Sequence, residues 1–429
     1  KYNIVIIGSG FSGISAANQL SGKGLSILVI DENFHIGGQL LRNIPDKLGV
    51  NKKYKPDHVK KIGNRFVDNL RRNDIEILNN TSVIGIYDNN EILVEIEKKN
   101  VGSIYYDVIL FATGARERYL PFKGWTLPGV FSAGMSQVLM KSSGVLPSRD
   151  VVVGGSGLFL FSAAYEFLKN GAKVRSVIES TGISGKMKML PVLLHNFSKI
   201  TEGVRYLGKI GLSGVPVRLN TKIVEARGNG HLEEIVFGKC DRDGKIITGK
   251  EKIVKTGGFA YSYGFVPNIE LPNLAGCEIL FNKDLGGWVV KVNENMETSV
   301  PGIFCAGEVT GVGGALKSVN EGEIASISIL NRFEKGDLLL NKKRKLDKER
   351  KHHLDFAKYF NSLYGIREEE ISGIPDETII CRCEDVSMGD IRAAVSDGFI
   401  SPGTLKTSVR AGMGNCQGRT CGPVIYDLL

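Results

Sequence analysis

The opening stretch constrains the fold more than any other part of the chain. Tyr2 to Ile7 is an apolar run of buried-strand length, and Gly8-Ser9-Gly10-Phe11-Ser12-Gly13 follows at once. Ile14 to Leu20 is helix-forming, and Leu25 to Ile30 is a second buried strand ending in Asp31. The pattern is strand, glycine turn, helix, strand, with G-x-G-x-x-G at the turn and an acid about 18 residues after the last glycine. In such a unit Gly8 permits the sharp turn, Gly10 lets the backbone approach a pyrophosphate, and Gly13 lets helix and strand pack closely. The helix N-terminus presents free N–H groups and partial positive charge to the phosphates. Asp31, with Glu32 beside it, is placed to accept hydrogen bonds from an adenosine ribose. Glycines in such a turn often serve packing alone, but strand, glycines, helix and acid together favour a dinucleotide site.

A second unit of the same kind starts at Val151-Val152-Val153-Gly154-Gly155-Ser156-Gly157-Leu158-Phe159-Leu160, with a helix to Asn170 and a strand from Ala172 to Ile178 ending in Glu179. Gly155 and Gly157 match the first two glycines, but Leu160 stands at the third position and forces the helix away from the strand. The expectation here is a retained α/β core whose NAD(P) binding is weakened or lost. The two units are the one internal repeat.

A chain of 429 residues, 42% apolar and 24% charged, is globular and long enough for two to four domains. No run reaches the roughly 18 apolar residues of a membrane helix, and a strand from residue 2 leads us to expect no secretory peptide. The net charge of +9 is concentrated in part between Asn341 and His353, where Lys342, Lys343, Arg344, Lys345, Lys348, Arg350 and Lys351 face only Asp347 and Glu349. No aromatic residues interleave there, so a solvated helix or a face for an acidic partner is favoured over a nucleic-acid surface. A probable-helix pattern also spans Asp57 to Arg72, in an otherwise polar and basic stretch.

Of seven cysteines, four form a C-x-C (Cys381, Cys383) and a C-x4-C (Cys416, Cys421) about 32 residues apart. Four thiolates from two loops suit either Zn²⁺ or an iron–sulfur cluster. The C-x-C is tighter than the spacing of zinc knuckles, and the glycines around Cys416 and Cys421 free backbone N–H groups for sulfur, which favours [2Fe–2S]. Arg382, Lys406, Arg410 and Arg419 could offset the cluster's negative charge, while Cys240, Cys277 and Cys305 read as core thiols. These spacings fit a reducing, cytoplasmic setting, with any membrane contact made through partners.

Ile36-Gly37-Gly38-Gln39 resembles the loop that passes under the flavin in FAD-holding reductases. Ala112-Thr113-Gly114-Ala115 resembles the crossing into their second domain. Gly307-Glu308 resembles their ribityl-binding turn, with Glu for the usual Asp, and Gly314-Ala315 opens the helix expected to face the flavin. Two longer segments, Gly114 to Val130 and Arg410 to Arg419, complete the picture. With them nearly the whole chain resembles the α subunits of heteromeric, dye-linked amino/imino-acid dehydrogenases. That group takes in L-proline and D-hydroxyproline dehydrogenases, opine oxidases and hydrogen cyanide synthase, with the α subunit of sarcosine oxidase more distant. The C-terminal part resembles the [2Fe–2S] domain named for bacterioferritin-associated ferredoxin.

The resemblance implies an α/β fold with two Rossmann-like domains of the flavoprotein disulfide-reductase type, without the redox disulfide, plus a small helical [2Fe–2S] domain. The implied domains are 1–116 with 257–333 for FAD, 117–256 for the inserted NAD(P)-like domain, 334–375 as a basic helical linker, and 376–429 for the cluster. FAD is expected at Gly8, Ser9, Gly10, Phe11, Ser12, Gly13, Asp31, Glu32, Gly38, Gln39, Val83, Thr113, Gly114, Ala115, Gly307, Glu308, Gly314 and Ala315, and the cluster at Cys381, Cys383, Cys416 and Cys421. Substrate oxidation falls to a separate FAD-bearing β subunit, and this chain relays electrons to an acceptor protein or quinone. Some relatives add an FMN at the subunit interface. The alternative is an NAD(P)H-dependent FAD/[2Fe–2S] reductase with an external acceptor. No catalytic acid or base is apparent, and Arg42, Arg116 and Arg118 read as surface or phosphate-facing cations rather than as a substrate-carboxylate clamp.

Overall fold

The structure, a computed structural model, describes residues 1–42, 58–70, 75–182, 197–241, 244–334 and 339–429. The chain divides into two compact units, Lys1–Arg116 with Phe265–Ser362, and Glu117–Gly264 with Leu363–Leu429.

In the first unit the strand Tyr2–Ile7 lies between two parallel neighbours, Val5 standing beside Leu28 on one side and Ile109 on the other. The strand Glu76–Leu78 extends the sheet beyond Ile27–Ile30, and Ile303–Cys305 extends it beyond Asn100–Phe111. The N-terminal half of Asn100–Phe111 turns antiparallel against Glu91–Ile96, which pairs with Thr81–Tyr87. The continuous apolar run Ile4-Val5-Ile6-Ile7 follows from burial on both faces, as parallel strands require. The helix Phe11–Leu20 packs on Ala315–Glu334 at Gly322, where an added Cβ would stand 2.3 Å from the Ser12 carbonyl oxygen. A helix spans His58–Leu70 where one was expected from Asp57 to Arg72; Asp57, Arg71 and Arg72 lie outside the described residues.

The second unit holds a five-stranded sheet in the order Val217–Leu219, Lys173–Glu179, Asp150–Gly155, Phe259–Ser262, Val130–Ser132, and a three-stranded antiparallel sheet. Leu160 is fully buried with Val151, Val153, Ala163 and Ala164, so the position of the missing third glycine is filled by a packed side chain. The C-terminal residues belong to this same unit. Phe122, Trp125, Phe259 and Tyr261 share one core with Ile380, Met388, Ile391, Leu405, Val424 and Ile425. Burial of apolar surface therefore fastens the cysteine-bearing segment to the inserted domain.

The basic segment forms one helix, Leu340–Tyr364, with Leu346, Phe356 and Ala357 turned inward. Lys342 pairs with Glu323, and Lys343 with Asp347. Arg344, Lys345, Lys348 and Lys351 are exposed.

Candidate functional site

Two sites take shape, one in each unit. In the first unit, Gly8 has φ of +103°, and a Cβ there would stand 2.3 Å from the Ala112 carbonyl oxygen. A Cβ on Gly13 would stand 1.9 Å from the Gly8 oxygen. Both positions need glycine for the protein's own packing. Gly10 is different: among the described residues, its chain neighbours aside, nothing lies within 4 Å of the Cβ it lacks. An open face at the middle glycine, at the N-cap of the helix Phe11–Leu20, is the room a pyrophosphate needs. The chain's own residues thus fit a dinucleotide here.

The surrounding loops converge on this turn. The Gly37 N–H donates to the Ser9 carbonyl at 2.9 Å, and a Cβ on Gly38 would stand 2.9 Å from Gly10 Cα. Gly307 meets Ser12, whose Oγ would lie 2.5 Å from an added Cβ. Thr113 and Asn268 exchange hydrogen bonds, Oγ1 to the Asn268 carbonyl at 2.8 Å and Nδ2 to the Thr113 carbonyl at 2.9 Å. Gly114 accepts from the Asn268 N–H, and Ala115 begins the strand beyond it. Gln39 is exposed, and Val83 is half-buried opposite Val94, two residues after Thr81, whose N–H donates to the Asp31 carbonyl. Gly314 and Ala315 open the helix at its expected position.

The two acids behave differently from a simple ligand reading. Asp31 is 6% exposed, and its carboxylate accepts from the Ser9 N–H and Oγ on one oxygen and from the Asn33 N–H and side-chain amide on the other. It organises the glycine turn from inside, while its neighbour Glu32 is exposed. Glu308 Oε1 accepts from the Gly313 and Gly314 N–H groups at 3.1 and 2.7 Å, just ahead of the N-terminus of the helix Ala315–Glu334.

Beneath the Gly307 turn lies a network that the sequence reading missed. Lys317 and Glu321 are wholly buried and pair at 2.8 Å. Lys317 Nζ also donates to the Gly307 carbonyl and Thr310 Oγ1, and Glu321 accepts from the Gly307 N–H, the Thr310 hydroxyl and Arg350 Nε. Burial alone would raise the Glu321 carboxyl; Lys317 and Arg350 outweigh it and hold it below the ordinary value. The available signal was an i,i+4 Lys/Glu pair in the helix-forming stretch after the glycine turn.

The three candidate arginines are engaged within the chain. Arg116 binds Asn268 Oδ1 and Glu270 Oε1, both at 2.9 Å. Arg118 pairs with Asp427, and Arg42 donates to Asn33 Oδ1 at 2.7 Å.

In the second unit the four cysteines of the two loops come together. Cys421 neighbours Cys381, and Cys416 neighbours Cys383. Cys381 and Cys421 are buried, Cys416 is half-buried and Cys383 is exposed. Burial raises the Cys416 thiol, but the N–H groups of Thr420 and Gly418, the Thr420 hydroxyl and Cys383 outweigh it and hold it below its usual value. Burial and Cys381 push Cys421 up to about 12. Among the described residues no group of three or more His, Cys, Asp or Glu is arranged around a single metal ion. Four thiols brought together from two loops fit the all-thiolate ligand set of a [2Fe–2S] cluster. The C-x-C loop is pinned by Trp125, whose Nε1 donates to the Ile379 carbonyl at 2.6 Å and whose ring lies 5.3 Å from the Arg382 guanidinium. Arg410 pairs with Glu384 at 2.8 Å.

The chain belongs to the pyridine nucleotide-disulphide oxidoreductase family, matched over residues 2–325, and carries a BFD-like [2Fe-2S] binding domain over residues 379–429. It is an FAD-dependent oxidoreductase built on that frame. Hydrogen cyanide synthase subunit HcnB of Pseudomonas aeruginosa is 32% identical, over 97% of this chain and 90% of that protein. An opine oxidase subunit of Rhizobium meliloti is 27% identical, over 100% of this chain and 82% of that protein. The crystal structure of L-proline dehydrogenase from P. horikoshii shares the fold with a TM-score of 0.70 at 20% identity, covering 100% of this chain and 74% of that one. No helix among the described residues is long and apolar enough to cross a membrane.

Proposed function

We propose that this chain is the electron-relaying flavoprotein subunit of a heteromeric amino- or imino-acid dehydrogenase. FAD would accept electron pairs and the cluster would pass electrons singly. The chain's own residues hold these groups. The open face at Gly10 and the N-terminus of Phe11–Leu20 receive the pyrophosphate, and Gly38 and Gln39 line its approach. Glu32, exposed beside the inward-turned Asp31, takes the adenosine ribose. Thr113, Gly114 and Ala115 with Gly307, Glu308, Gly314 and Ala315 border the flavin, and Cys381, Cys383, Cys416 and Cys421 hold the cluster. Subunit names among the relatives support a partner chain in the complex, and the proline dehydrogenase and opine oxidase names support an amino- or imino-acid substrate.

The observation that carries the relay reading is the engagement of Arg42, Arg116 and Arg118. An α-amino or imino acid needs a cation for its carboxylate and a route for the amine proton. The arginines nearest the flavin motifs already serve Asn33, Glu270 and Asp427. We expect the purified chain to show no steady reduction of an artificial dye by proline, hydroxyproline, glycine, sarcosine or opines, and to gain turnover when a second FAD-bearing subunit is added. Dye reduction by this chain alone would move catalysis onto it.

A further inference from the structure

The second glycine turn is closed by a residue far away in sequence. Gly157 stands at the motif position of Gly10, the glycine whose bare face receives a pyrophosphate, here with φ of +108° and one residue before the helix N-cap Leu158. At Gly10 that face is open. At Gly157 a Cβ would come within 4.0 Å of Cγ in the Tyr364 ring. The neighbouring Ser156 Oγ donates to the Tyr364 carbonyl at 3.1 Å, which ties the tyrosine's backbone to the turn. Tyr364 is 5% exposed, so its ring is packed there rather than passing over the surface. Burial first, and then the charge of Glu179, the acid that ends the second strand of the unit, push its hydroxyl above the usual tyrosine range. Glu179 is itself fully buried and accepts from the Gly157 N–H at 3.2 Å and the Thr181 N–H at 3.0 Å.

We propose that Tyr364 is a specificity-determining residue: its ring occupies the pyrophosphate position of the second glycine turn and keeps nicotinamide dinucleotides from entering this chain. The inference deepens the relay reading, because it confines electron entry to the partner subunit. It adds to Leu160 a cause that acts at the ligand's own position rather than through helix packing.

Binding of NADH and of ADP-ribose to the purified chain, followed by calorimetry, tests this separately from catalysis. Wild-type protein is expected to show no saturable binding up to about 1 mM, and Tyr364→Ala to bind at least about tenfold more tightly. Tyr364→Phe keeps the ring and should behave as wild type. A folded Tyr364→Ala protein, with its flavin and cluster absorbance intact, that binds no better than wild type overturns the proposal. So does tight wild-type binding. Should Tyr364→Ala fail to fold, amide exchange at Gly155–Gly157 in the wild-type chain decides. Added NADH is expected to leave it unchanged, and protection there overturns the proposal. Dye reduction by the chain alone would defeat the relay reading and leave these binding results standing.

Discussion

Gly10→Val protein is expected to fold, to remain soluble and to purify without flavin. The backbone at Gly10 has φ of −69° and ψ of −173°, an extended conformation that valine adopts readily. Among the described residues, its chain neighbours aside, no atom lies within 4 Å of the new Cβ. The cost to the empty protein is therefore that of changing an N-cap glycine, about 1 kcal/mol at most. The cost to FAD is much larger, because the branched side chain fills the space through which the pyrophosphate meets the helix N-terminus. A fall in flavin affinity of at least about a hundredfold, roughly 3 kcal/mol, is expected. Gly13→Ala makes the contrast: its Cβ would stand 1.9 Å from the Gly8 carbonyl oxygen, so that change should damage the fold itself. Flavin content and thermal unfolding, measured together, separate the two. A full flavin spectrum in Gly10→Val protein would show that FAD lies elsewhere.

Lys317→Met is expected to lower stability by about 3–5 kcal/mol, because it leaves the Glu321 carboxylate buried without its closest cation. For a unit of this size that is a fall in melting temperature of roughly 10 °C. The Gly307–Thr310 turn should loosen as well, since Lys317 and Glu321 both bond to it. The same network sets an acid limit. Glu321 ionises below its ordinary value in the folded protein, so its contribution is fully present above the unfolded glutamate value near 4.3. It is lost as the pH falls through the lower folded value. Acid unfolding of the wild-type chain should therefore steepen below about pH 4, and Glu321→Gln should flatten that limb while starting from lower stability. An unchanged melting temperature in Lys317→Met would show that the pair contributes nothing net.

Much of this was legible in the chain. Strand–turn–helix patterning is local, so Tyr2 to Asp31 and Val151 to Glu179 announce their own geometry, and the Leu160 departure is visible beside them. The cysteine spacing likewise places four thiols in two short loops, although only the fold shows the two loops brought together. What the sequence leaves open is which partner a polar group takes once the chain closes. Asp31 and Glu308 carry the right charge at the right places, yet each is bonded to the backbone of its own turn. Arg116, Arg118 and Arg42 sit near flavin motifs in sequence and are answered by Glu270, Asp427 and Asn33. Arg350 and Tyr364 lie in a helix whose basic half reads as a solvated surface or a face for an acidic partner. One reaches Glu321 and the other reaches Gly157, contacts across 29 and 207 positions in sequence that no periodicity records.

The relay itself is tested most directly by single-turnover reduction without oxygen. The purified chain, carrying FAD and its cluster, is mixed with each candidate amino or imino acid, first alone and then with an FAD-bearing partner subunit. The account predicts that substrate alone leaves both chromophores of this chain oxidised, and that with the partner present the flavin and the cluster bands both bleach. Bleaching of the flavin by substrate in this chain alone would contradict it.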